Sequence, residues 1–211
     1  MTNLATLLTL SDSRLPTGGH VHSGGVEEAV TEGMVRDLAT LRAFLVRRIR
    51  TTGLVTASVA AAVHGGSLPV TSGDHEIDAR TPAPAARQAS RAQGRGLLRL
   101  ARRVWPGQCW ESLGAAPHLA TVAGAVGAAS GLEPEQTALT VVYTTMTGSA
   151  TAAQRLLALD PGDVAALTFE LAALCDQTSA TACKELADLS DPLLDVLAQK
   201  HSQRERPLFA S

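Results

Sequence analysis

At 211 residues the chain is long enough for one sizeable hydrophobic core, and 45% hydrophobic with 18% charged residues excludes a disordered polymer. A formal net charge of −2 removes any global electrostatic case for binding nucleic acid or an anionic membrane. Aromatic residues make up only 3% while Ala and Leu abound, so helix formers outweigh strand formers and the composition points to an all-α fold.

Residues 3–10 (NLATLLTL) read as a short apolar helix, with neither the length nor the basic flank of a signal peptide. Residues 11–25 (SDSRLPTGGHVHSGG) break all periodicity with one proline and four glycines. Gly18 and Gly19 permit positive φ and Pro16 stiffens the approach, so the segment works either as a plain turn or as a binding loop. His20 and His22 form an HxH pair that could hold nickel or zinc, with Asp12 or Glu27 as a further ligand, although loop histidines are more often ordinary polar surface or capping groups. Few other ligands lie nearby, and a strong metal site needs more. Ser23 is the expected N-cap of the next helix, VEEAVTEGM, with Glu27 near its first turn.

Asp37 caps a long amphipathic helix, interrupted near Gly53, whose stripe is Leu38, Leu41, Leu45, Ile49 and Val55. Residues 65–73 read as a loop and 74–80 as a short polar link ended by TPAP. Pro84 suits the first turn of a helix running to about Val104, with Ala89, Gly96, Leu97, Leu100, Ala101 and Val104 on its apolar face. Arg87, Arg91, Arg95, Arg99 and Arg103 recur along it every four residues, and Pro106 and Gly107 stop it.

Three more helices follow over about 117–130, 134–158 and 161–180. In the second of these, Thr144, Gly148 and Ala152 form a small-residue ridge suited to close helix packing. Residues 112–132 and 136–154 lack charge over nearly the length of a membrane span, but they are rich in Ala, Gly, Thr and Ser and read as buried helices. A last helix over 192–201 ends in the polar tail SQRERPLFAS, where Leu208 and Phe209 stand out as apolar. No repeat or linker divides the chain, which predicts one all-α domain, a bundle of about eight to ten helices.

Residues 79–110 hold seven arginines and no acid, whereas residues 160–195 hold eight acids and only Lys184. The arginine row reads as a solvated face, as a partner of that acidic segment, or as the receptor of an acidic protein. Nucleic acid is a weaker fourth reading, since no aromatics interleave the row. With 16 arginines against two lysines, the basic residues suit bidentate carboxylate contacts. Cys109, Cys175 and Cys183 are an odd set without metal spacing and read as reduced thiols. No GxxxxGK[ST], GxSxG or HExxH motif and no paired Cys/His cluster is present, so no catalytic residue is assigned and catalysis is not expected.

Taken together the segments resemble the UreF family of urease accessory proteins. Residues 7–30 (LLTLSDSRLPTGGHVHSGGVEEAV) are similar to its N-terminal signature, matching at Leu15, Pro16, Gly18, Gly19, His22, Ser23, Gly25, Val26 and Glu27. His20 departs, standing where the family commonly has an aromatic. RQASRAQGRGLLRLARRVWP, HLATVAGAVGAASGL and ALTVVYTTMTGSATAAQRLLALDP resemble the family's middle helices, and DPLLDVLAQKHSQRERPLFAS its C-terminal tail. Pro207 and Ala210 stand where that tail often carries arginine.

The resemblance implies a cytoplasmic, non-enzymatic homodimer that assembles with UreD (also called UreH), the GTPase UreG and apo-urease to regulate GTP-dependent nickel insertion. It implies no tightly bound cofactor: nickel is handled by the complex, and GTP is bound by UreG. It places partner docking on residues 1–30 and 200–211, with Arg206, Leu208 and Phe209 added to the N-terminal matches. It places the dimer contact at Tyr143, Thr144, Gly148 and Ala152. Two other functions stay open: a direct nickel chaperone using His20, His22 and a cysteine, and an unrelated helical enzyme using Arg14, His22 and Glu27.

Overall fold

The computed structural model describes residues 3–210. Met1, Thr2 and Ser211, the outer ends of the two segments expected to dock partners, lie outside the described residues. The described residues form eleven α-helices and no β-strand: α1 (Leu4–Leu10), α2 (Val26–Thr31), α3 (Leu38–Arg48), α4 (Leu54–His64), α5 (Val70–Arg80), α6 (Pro84–Val104), α7 (Leu119–Ala129), α8 (Pro134–Leu157), α9 (Pro161–Glu170), α10 (Ala172–Ala182) and α11 (Pro192–His201). A π-turn at Ile49–Gly53 joins α3 and α4 into one rod, the interruption expected near Gly53. With that rod counted once, the bundle has ten helices.

Asp37 opens α3 through a capping box, accepting from the Thr40 N–H at 2.8 Å while the Thr40 hydroxyl accepts from the Asp37 N–H at 3.1 Å. At the centre lies α4, whose Val55, Ala57, Ser58, Val59, Ala60, Ala61 and Val63 are buried. A helix apolar on nearly every side belongs inside a bundle, and α7, α8 and α10 enclose it. The main core joins α2, α3, α4, α8, α10 and α11 around Leu41, Leu45, Ile49, Met146 and Leu197. A second cluster fixes α6 to α7 through Leu97, Leu98, Val122 and Val126, with Trp110 and Leu113 from the intervening loop. No described helix is long and apolar enough to cross a membrane.

Four expectations need correction. The polar link over 74–80 is instead the second part of α5, which also takes in the end of the expected loop over 65–73. Only Ile77 and Gly73 are buried in α5, and its other inward groups are the carboxylates of Asp74 and Asp78, bonded to Arg91 and His118. The periodic inward signal is thus carried by charges, which hydrophobic periodicity cannot register. The helix over 161–180 is two, parted at Leu171, although Leu167, Leu171 and Cys175 continue one buried stripe. Ser23 does not cap α2: Gly25 does, at φ 88°, and Ser23 Oγ accepts only a long 3.4 Å contact from the Glu27 N–H. Val104, expected on the apolar face of α6, is exposed.

Gly96 lets the N-terminal loop rest on α6, because a Cβ there would overlap the Thr17 carbonyl. Gly96→Ala is therefore expected to cost about 1–3 kcal/mol in spite of alanine's better helix propensity. Amide hydrogen exchange over residues 15–22 should rise; unchanged protection there would refute this packing.

Candidate partner-docking site

The two ends of the chain meet at one carboxylate. Val26 anchors the short α2 in the core, and this carries Glu27 inward until it is only 2% exposed. A buried carboxylate needs donors, and the tail supplies them. Leu208 N–H donates to Glu27 Oε1 at 2.8 Å, Phe209 N–H to Oε2 at 3.0 Å, and His201 Nε2 lies 2.8 Å from Oε2. An ionised carboxylate only accepts, so His201 carries its proton on Nε2.

Beside this hub Arg204 donates to Glu28 at 3.1 Å and to the Thr31 hydroxyl at 2.8 Å, and Lys200 to Glu32 at 3.0 Å. Three acids of α2 and its end thus face three basic groups of α11 and its continuation. Ala210 N–H then donates to the Val21 carbonyl at 2.6 Å, laying the tail along the N-terminal loop. Phe209 turns into the main core while Leu208 stays 78% exposed.

Burial alone would raise the pKa of Glu27; the Leu208 N–H, His201 and the Phe209 N–H outweigh it and hold the carboxyl below its ordinary value. Burial, with His20 and His201 nearby, pushes His22 down to about 4 and leaves it neutral at physiological pH.

The sequence-derived residues fall on both sides of this clasp. Leu15, Gly19 and His22 are half-buried and Pro16 exposed, while Gly18, Gly24 and Gly25 adopt positive φ. Ser23 and Gly25 are buried beneath the loop, where the Ser149 hydroxyl donates to the Ser23 carbonyl at 3.0 Å. Arg206 is exposed. Sequence reasoning missed Glu28, Glu32, Lys200, His201 and Arg204. Their signal was complementary charge: acids at 27, 28 and 32 match basic groups at 200, 201 and 204.

The further ligands suggested for the histidine pair are engaged elsewhere. Arg14 holds Asp12 at 2.6 Å in an exposed turn, and His201 holds Glu27. Among the described residues no three His, Cys, Asp or Glu side chains are placed to share a metal. Of the residues named for an enzyme, Arg14 pairs with Asp12 and Glu27 with His201. Cys109, Cys175 and Cys183 are free thiols.

A cleft of about 320 Å³ runs beside the clasp, lined by the N-terminal loop, Arg48, Leu97, Phe209 and the ridge of α8. Tyr143 is exposed and Thr144 half-buried, whereas Ala152 is buried; a Cβ on Gly148 would meet nothing within 4 Å. Among the described residues the ridge thus borders open space at Gly148.

A second polar cluster braces α5, α6 and α7. His118, fully buried, lies 2.9 Å from Ser90 Oγ through Nδ1 and 2.9 Å from Asp78 through Nε2. Arg91 bridges Asp74 and Asp78 at 2.8 Å each, and Asp74 also accepts from the His118 N–H and the Thr121 hydroxyl. The order Ser–His–Asp is that of a hydrolase nucleophile, base and acid. Here Ser90 Oγ is occupied by the Leu119 N–H at 3.3 Å and Asp78 is shared with Arg91, so the cluster works as a cross-brace. Thus Arg87 and Arg91, the N-terminal part of the arginine row, pair with the acids of α5, and of the acids in 160–195 Asp195 feels the charge of Arg87.

The sequence model of the UreF family matches residues 35–172. Across the whole of both chains the protein is 77% identical to the urease accessory protein UreF of Mycolicibacterium vanbaalenii. It is likewise 76% identical to that of Mycobacterium sp. strain JLS and 69% identical to that of Mycobacterium tuberculosis, again over full length.

Proposed function

Because the chain belongs to the UreF family of urease accessory proteins, we propose that it is a non-enzymatic cytoplasmic scaffold that complexes with UreD and the GTPase UreG to regulate GTP-dependent nickel insertion into apo-urease. The observation that carries this reading is the clasp: residues 27 and 208–209 form one surface through a single carboxylate. A scaffold needs a rigid, pre-formed docking face, since ordering a loose segment at the moment of binding reduces affinity. The clasp supplies that rigidity, and Leu208 offers an apolar anchor on it. Nickel is cargo of the assembly, and GTP belongs to UreG. The uncovered ridge at Tyr143, Thr144 and Gly148 supports a homodimer through α8, with Ala152 beneath the contact as a spacer.

The test is capture of the host's UreD and UreG homologues by the full-length chain and by a chain lacking residues 202–211. Full-length protein should retain UreD, and the truncation should lose it. Absence of UreD from the full-length capture would overturn the scaffold reading.

A further inference from the structure

The arginine row of α6 divides in two. Arg87 and Arg91 are neutralised within the chain by Asp78 and Asp74. Arg95, Arg99, Arg102 and Arg103 are exposed and make no ion pair within 4 Å among the described residues, and the charge of Arg102 helps to lower the pKa of Glu111. At 100° per residue these four occupy about a 100° arc of the helix over roughly 12 Å.

Arg102 and Arg103 stand in the last turn, where the helix dipole favours cations. Arg95 and Arg99 lie too far inside the helix for that explanation, and like charges four apart destabilise it by a few tenths of a kcal/mol. A merely solvated face would intersperse acids, yet residues 79–110 contain none. Val104, 53% exposed, lies about 100° further round the helix from Arg103 and so outside this arc, beside the half-buried Trp105 at the helix end. Arginine is enriched at interfaces relative to the rest of a protein's surface.

We propose that the outward face of α6, from Arg95 to Arg103, is a second docking surface, for a protein partner that presents clustered carboxylates. Charge complementarity defines that occupant: planar guanidiniums on one arc match carboxylates bidentately. Among the described residues no acid of 160–195 lies within 4 Å of these four guanidiniums, and Glu170 and Asp191 pair instead with Arg42 and Arg47. None of the four guanidiniums takes part in the clasp, so the proposal gives one chain two distinct docking faces. This inference rests on the scaffold reading and assigns the acidic partner to a member of the urease maturation assembly other than the one on the tail.

The test is capture of UreD, UreG and apo-urease homologues by full-length wild type, by R95E/R99E/R103E and by R95K/R99K/R103K, at low and high salt, with circular dichroism as the check on folding. The glutamate variant should keep UreD, lose about tenfold or more of its affinity for one other component, and lose the salt dependence of that contact. The lysine variant should fall between it and wild type. If wild type assembles and the glutamate variant assembles equally well, this proposal is overturned and the scaffold reading stands. If wild type captures no component, both fall. A glutamate variant altered only in binding a random-sequence DNA duplex, with protein capture intact, would replace the acidic protein by nucleic acid and overturn the proposal as well.

Discussion

Glu27→Ala is expected to destabilise the protein by roughly 3 kcal/mol, about 6–12 °C in Tm for a chain of this size, and to abolish capture of the tail-docked partner. The single carboxylate satisfies two backbone N–H groups and one imidazole, all of them sheltered. Leu208 and Phe209 can recover water by undocking, so their share of the loss appears as a released tail. His201 is only 3% exposed on α11 and cannot follow them, so its share appears as lost global stability. Glu27→Gln keeps one acceptor oxygen and should show a smaller effect of the same kind. Limited proteolysis after residue 201 reports the first part and calorimetry the second; a tail that stays protected in Glu27→Ala would contradict the clasp. Because the folded pKa of Glu27 is lowered, its contribution is present above the ordinary value of 4.5 and disappears as pH falls through the folded value. Acid should therefore mimic the substitution.

The second large effect is expected at His118, where replacement by Ala should also cost roughly 3 kcal/mol through an emptied buried site and stranded partners at Ser90 and Asp78. His118→Gln, which can still donate to Asp78, should recover part of this. Burial is the main cause of the lowered His118 pKa and outweighs the raising effect of Asp78. A base with a lowered folded pKa is stabilising when neutral: its contribution is complete above the ordinary value of 6.5 and is lost as pH falls from there through the folded value. The wild type should thus lose Tm on going from pH 7 to pH 5, and His118→Ala should lose less. Equal slopes would remove His118 as the source. Asp78, also lowered, acts in a separate and more acid window, below its ordinary 3.8.

The helices driven by apolar spacing were legible in the residues: the stripe of Leu41, Leu45 and Ile49, the cap at Asp37 and the start at Pro84 all lie where the pattern places them. The helix α5 was not, because Asp74 and Asp78 turn inward towards Arg91 and a neutral histidine, and an inward carboxylate reads as solvent-facing until its partner is known. The break at Leu171 has no glycine or proline to announce it. For the site, the loop and tail were recognisable from motif alone, but their joining was not. Glu27 and Phe209 are separated by almost the whole chain, and no local rule links them. Val104 misled because it is the last residue of its helix and its side chain escapes the second core cluster.

The clasp also sets an order of events in biosynthesis. α2 is synthesised before the donors to its central acid, which lie at Leu208 and Phe209. Glu27 therefore waits without those two N–H groups until translation has passed residue 209. A chain ended before Leu208 would hold the glycine-rich loop over a carboxylate that lacks its backbone donors, so the closed clasp marks a chain made at least that far.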